Sequence, residues 1–161
     1  MPQRHPQPGA GVSEGNSVGT AATAVPLDVL IVGAGPAGLS MAGRLHHLQS
    51  TSSYIVLERE EPGAAWRSRY DRLHLHTVRQ ISALPYWGFP AGTPTFVSAK
   101  VLADYYSAYA QRLRVRSHTT VTAARFDAAA KLWNVTAVNG RPWQYCLSPS
   151  PSPSSSPSPS L

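Results

Sequence analysis

Three glycines at the spacing G-x-G-x-x-G (Gly33, Gly35 and Gly38) follow the apolar run Val29-Leu30-Ile31-Val32. They precede apolar residues at helical spacing: Leu39, Ala42, Leu45 and Leu48. A buried strand, a glycine turn and a helix in this order suit the holding of a pyrophosphate. Gly33 permits the tight turn out of the strand. Gly35 has no Cβ to keep a phosphate from the backbone, and Gly38 lets the helix pack close to the strand. The phosphates then lie at the helix N-terminus, where unpaired N–H groups and the helix dipole favour negative charge. The pattern also requires an acidic residue about 20 residues on, at the end of a second strand. Glu58 closes the run Tyr54-Ile55-Val56-Leu57 and fills that place. A carboxylate there accepts hydrogen bonds from ribose hydroxyls and repels a 2′-phosphate. Together these signals favour a dinucleotide site, for FAD or NAD rather than NADP, over a purely structural glycine turn.

The elements that must position these residues are legible around them. A strand over 27–32, a helix over 36–48 and a strand over 54–58 form a βαβ unit, which makes the sheet parallel and the crossover right-handed. The stretch from Trp66 to Gly92 has no clear period, carries many rings (Trp66, Tyr70, His74, His76, Tyr86, Trp87, Phe89), and is too long for a simple loop. It reads as functional. His74 and His76 alternate with Leu73 and Leu75, which puts both imidazoles on one face. No carboxylate or cysteine accompanies them, so metal ligation is not expected. Ser98 reads as an N-cap for a helix over 99–111, with Leu102, Tyr105, Tyr106 and Tyr109 as its packing face. Residues 113–116 read as a third parallel strand. Residues 119–126 and 131–138 are β-branched runs that read as an antiparallel hairpin, with Trp133 packing it against the sheet. Asn139-Gly140 is a further turn signal, and Trp143 to Leu147 has the look of one more strand. The expected fold class is α/β: a Rossmann-like βαβ unit with a parallel sheet plus an antiparallel β-hairpin or meander, flanked by disordered N- and C-terminal tails.

Composition bounds the setting. The chain has 161 residues and a net charge of +6 from 14 Lys+Arg against 8 Asp+Glu. The arginines are dispersed rather than clustered with aromatics, so nucleic acid is not an expected partner. The single cysteine, Cys146, excludes a disulfide framework and a Cys-x-x-Cys redox pair. No run of 18 apolar residues exists and the N-terminus has no apolar signal region, so the expectation is a cytoplasmic protein without membrane contact. Oligomeric state is not legible. Residues 1–25 are rich in Pro, Gly, Ser, Thr and Ala, and 148–161 is a serine-proline repeat closed by a leucine; neither can bury a core.

Further short motifs carry a resemblance. They are Val56-Leu57-Glu58-Arg59, Trp66, Tyr70-Asp71-Arg72-Leu73-His74-Leu75-His76, Leu84-Pro85, Pro94-Thr95, Tyr105 with Tyr109-Ala110, and Phe126-Asp127 followed by Trp133-Asn134-Val135. With the glycine turn, these resemble the FAD-binding N-terminal part of the class B flavin-dependent monooxygenases, in particular the YUCCA-type (indole-3-pyruvate monooxygenase-like) branch of the flavin-containing monooxygenases. The resemblance covers about 27 to 138. It implies that the backbone of Gly33, Ala34, Gly35, Pro36, Ala37 and Gly38 holds the FAD pyrophosphate, that Glu58 holds the adenosine ribose, and that Arg59 lies along the adenine. It further implies that Ala65 and Trp66 stand beside the flavin ribityl and ring, that His76 and Thr77 lie on the flavin side, and that the backbone at Val121 meets the adenine edge. No catalytic side chain and no substrate are implied. The chemistry implied is NADPH-dependent oxygen transfer through a flavin C4a-hydroperoxide to a soft nucleophile or a keto acid.

The same resemblance implies a second G-x-G-x-x-G, for NADPH, and an F-x-G-x-x-x-H segment before it. Neither occurs in this chain. The family pattern stops near Val138, an abrupt switch that reads as a truncated, intron-retaining or frame-changed coding sequence. The expected organisation is a disordered tail over 1–25, an incomplete FAD-binding Rossmann-like domain over 26–138, and a low-complexity Ser/Pro tail over 139–161. The alternatives are a non-catalytic FAD-binding fragment without an NADPH site, or another FAD- or NAD-dependent oxidoreductase.

Overall fold

The structure, a computed structural model, describes residues 25–50, 52–138 and 142–147. Apart from Val25 and the segment 142–147, the two tails read from composition lie outside the described residues.

The parallel unit forms as its sequence dictates. β2 (Val29–Val32), α1 (Pro36–His47) and β3 (Tyr54–Leu57) make the βαβ, and β6 (Val115–Arg116) adds a third parallel strand in the order β2-β3-β6. β3 is the most buried of them, β2 is half-buried with Val32 64% exposed, and the side chains of β2 and β3 sort with period two. Val29, Ile31, Tyr54 and Val56 face the helices, packing with Leu39, Ala42, Leu102 and Tyr109. Leu30, Ile55 and Leu57 face the other way and pack against Val135 and Ala137. That second layer is a four-stranded sheet of order β1-β9-β8-β7, in which β7 (Thr120–Asp127) and β8 (Leu132–Val138) are the expected antiparallel hairpin. β9 (Pro142–Leu147) pairs antiparallel with β8 and parallel with β1 (Val25–Leu27). The strand read at Trp143 to Leu147 is therefore present, past position 138 where the sequence reading ended the domain.

Three expectations change in detail. The strand read over 27–32 is two strands that belong to different sheets, with the break at Asp28. The Asp28 carboxylate accepts from the Ser53 amide at 2.6 Å and the Ser53 hydroxyl at 2.9 Å. These bonds, the amide first, hold its carboxyl below the usual carboxylate range. Trp133 does not pack the hairpin against the sheet: it is 47% exposed and its ring lies 5.5 Å from that of Phe126 across the strand pair. Leu48 does not close the α1 stripe either, being 55% exposed as the C-cap residue.

The aperiodic stretch after β3 holds α2 (Ala64–Arg67), β4 (His74–Val78) and α3 (Arg79–Ser82). β4 pairs antiparallel with β5 (Phe96–Ser98), which leads into α4 (Ala99–Ala110). Ser98 caps α4 as expected, its hydroxyl accepting from the Val101 amide at 3.4 Å. The tyrosines of α4 are buried, and two of them do more than pack. The Tyr105 hydroxyl accepts from the Leu84 amide at 2.8 Å and donates to the Trp87 carbonyl at 2.6 Å. The Tyr109 hydroxyl donates to the Pro85 carbonyl at 2.8 Å. The loop 84–87 is thus fastened to α4 by side chains rather than by a ladder. α1 joins the same cluster at Gly43, where an added Cβ would stand 2.1 Å from the Tyr109 hydroxyl oxygen. No helix among the described residues is long and apolar enough to cross a membrane.

Gly43→Ala should destabilise the chain by about 1–3 kcal/mol through overpacking. In a Tyr109→Phe background, which removes the clashing oxygen, urea denaturation should show that cost shrinking by about 1 kcal/mol or more. Burial, then the neighbouring Tyr105 and Tyr86, pushes the Tyr109 phenol from 10.0 up to about 12. A raised phenol pKa contributes stability that is full below the unfolded value and lost as pH rises through the folded one. Between pH 10 and about 12 the unsubstituted chain should therefore lose stability faster than Tyr109→Phe.

Candidate functional site

The site is built where β2 and β3 end side by side. Gly33 leaves β2 with φ +93°, and its amide donates to the Leu57 carbonyl at 2.8 Å. α1 then begins with Pro36 at its first position, which wastes no N–H. No side chain caps this helix and no acidic residue stands in its first turn, so its amides are left for another acceptor. A Cβ on Gly38 would lie 2.0 Å from the Gly33 carbonyl oxygen and 3.2 Å from Ile31 Cγ2, so close helix–turn packing requires glycine there. A Cβ on Gly35 would meet nothing within 4 Å; that side of the turn is open.

Glu58 stands across from the turn. One carboxylate oxygen accepts from the Ala34 amide at 2.6 Å and the other from the Glu60 amide at 3.0 Å. Its backbone carries further ties. The Glu58 amide donates to the Arg116 carbonyl at 2.9 Å, and the Thr119 amide donates to the Glu58 carbonyl at 2.7 Å. The ends of β3 and β6 and the start of β7 are thereby held together. Beyond Glu58, the His118 ring nitrogen lies 2.8 Å from a Glu61 carboxylate oxygen, and the Ser117 hydroxyl donates to the other oxygen at 3.2 Å. On the far side α2 is docked on α4. The Arg67 guanidinium meets Asp104 at 3.2 Å and the Ser107 hydroxyl at 2.9 Å, and the Ser107 hydroxyl donates to the Pro62 carbonyl at 2.6 Å. Lys100 first, and Arg67 as well, hold the Asp104 carboxyl below its ordinary range.

These elements enclose a cavity of about 420 Å³, within the usual size of small-molecule sites. Of the residues expected from sequence, Gly33, Ala34, Gly35, Pro36, Glu58, Arg59, Ala65, Trp66 and Val121 all line it. Ala37 and Gly38 lie in the first turn of α1 directly behind. His76 and Thr77 are elsewhere, on β4 outside the cavity wall, and the Thr77 hydroxyl is 2.7 Å from that of Ser82. The alternation around His74 and His76 holds: both imidazoles are exposed while Leu73 and Leu75 are partly buried.

Sequence reasoning did not pick out Glu60, Glu61, Tyr106, Thr119 and Thr120, which also line the cavity. The two glutamates adjoin Glu58, so proximity alone was a signal. Tyr106 and Thr119 come from distant elements, and nothing local marks them.

No protein-family profile matches the chain. Over 114 residues it is 39% identical to the probable indole-3-pyruvate monooxygenase YUCCA8 of Arabidopsis thaliana, a match covering 68% of this chain and 26% of that protein. Among solved structures it is similar to the flavin-containing monooxygenase from Stenotrophomonas maltophilia, with TM-score 0.64 and 30% identity over 75% of this chain and 36% of that one. Over these matched residues the chain is similar to part of a flavin-containing monooxygenase, YUCCA-like. It spans about a quarter of the length of the curated relatives it matches, 26% for YUCCA8. A third likeness, at TM-score 0.57 and 26% identity over 74% of this chain, is to OTEMO, solved in complex with FAD and NADP.

Glu58→Gln tests the charge at the strand end. The unsubstituted chain should bind ADP better than 2′,5′-ADP. The variant should narrow that ratio by weakening ADP and relieving repulsion of the 2′-phosphate, as read by isothermal titration.

Proposed function

We propose that the cavity binds the ADP half of FAD, and that this chain supplies the FAD-binding portion of an NADPH-dependent flavin monooxygenase. The observation that carries the reading is the Glu58 carboxylate fixed at 2.6 Å from the Ala34 amide, beside an uncapped helix start. The residues present fit the group. Gly35 faces open space, the first-turn amides of α1 have no side-chain acceptor, and the wall opposite the turn is a strand-end carboxylate. In this reading the amides of Ala37 and Gly38 hold the pyrophosphate. Glu58 orients the ribose, while Arg59 and the backbone at Val121 border the adenine. Ala65 and Trp66 sit toward the flavin end and exclude water there. FAD when bound supplies the oxygen-transfer chemistry, toward a soft nucleophile or a keto acid; the chain's own residues bind and orient it.

The chain carries one G-x-G-x-x-G. The second reading follows from that: a fragment that binds FAD without an NADPH site of its own. A small-molecule reaction in the cytoplasm, with a domain centred on 26–138, belongs to the same proposal. Titration with FAD, followed by flavin fluorescence, should show saturable but weak binding. Anaerobic NADPH should leave the flavin absorbance of that complex unchanged. Absence of any FAD or ADP binding would sink the first reading, and rapid saturable bleaching would sink the second.

A further inference from the structure

α4 presents three tyrosines to the interior, and two of their hydroxyls are spent on the loop 84–87. The third is not. Tyr106 is 5% exposed, and no hydrogen bond among the described residues uses its hydroxyl. The Tyr54 hydroxyl is a fully buried oxygen without a partner among the described residues; the Tyr106 hydroxyl is not in that state, so it keeps some accessible surface. Tyr106 is one of the residues that line the cavity at the glycine turn.

The charge of that cavity says what a neutral donor is for. Glu58, Glu60 and Glu61 line it with a single guanidinium, Arg59. A diphosphate placed there meets more negative than positive side chains. Its oxygens must be satisfied by neutral donors, meaning the first-turn amides of α1 and any hydroxyl within reach. Burial pushes the Tyr106 phenol above its ordinary range, which keeps it a proton donor. We infer that Tyr106 is a further binding residue of this site, its hydroxyl donating to a pyrophosphate oxygen of the bound dinucleotide. The inference rests on the FAD reading above.

The test is Tyr106→Phe in the full 161-residue chain, titrated with adenosine, ADP and FAD beside the unsubstituted chain and Tyr105→Phe. The expected result is an unchanged urea midpoint without ligand, about five- to tenfold weaker ADP and FAD, and unchanged adenosine. Tyr105→Phe, which removes bonds to the loop, should lower the midpoint without a selective loss of ADP. Equal ADP affinity in Tyr106→Phe and the unsubstituted chain overturns the inference. So does an equal loss for adenosine, or a loss confined to FAD, since either places the hydroxyl away from the phosphates. If the unsubstituted chain binds no ADP, what fails is the dinucleotide reading itself.

Discussion

The Glu58 carboxylate has both oxygens on backbone amides, one in the turn after β2 and one in its own strand's exit. Its amide and carbonyl are tied to β6 and to the start of β7. Three segments of chain that are distant in sequence, around 34, 58–60 and 116–119, therefore converge on one residue. For the two side-chain bonds, a carboxylate acceptor makes a stronger bond than a neutral one would. The turn depends on it, because Ala34 would otherwise present an unpaired amide at the mouth of the site. The cavity depends on the turn. A ligand that uses Glu58 enters a place already organised around it.

The second constraint is the approach of α1 to its neighbours. Gly38 and Gly43 lie on α1, one against the Gly33 carbonyl and the other against the Tyr109 hydroxyl. The same helix is thus pinned to the turn at one end and to α4 at the other, and α4 in turn fastens the loop 84–87 and α2. The walls of the cavity that come from α2 and α4 are positioned through this chain of contacts rather than by the sheet.

Much of this was written plainly in the sequence. The strands Val29–Val32 and Tyr54–Leu57, the helix from Pro36 and the hairpin around Asp127 are long or strongly patterned, and their local preferences agree with their burial. Glu58 was legible because its spacing from the turn is fixed by the length of one helix and one loop. The break at Asp28 was not, since it is set by Ser53, 25 residues away. β4 and β5 pair over few residues and with an irregular register, so no period could show them. Trp133 was misplaced because alternation tells which residues share a face but not which face is covered. Tyr106 looked like its two neighbours on α4; only the unequal use of their hydroxyls separates it from them.

The pairing of β1 with β9 sets Val25 against Tyr145. Closing that contact brings together positions about 120 residues apart, at an entropic cost that grows only slowly with length but must be met before the pairing gives anything back. β1 is three residues long and, among the described residues, pairs with β9 alone, so its place in the sheet rests on this one long-range contact. The sheet behind the cavity is therefore completed by two strands that lie at opposite ends of the described residues.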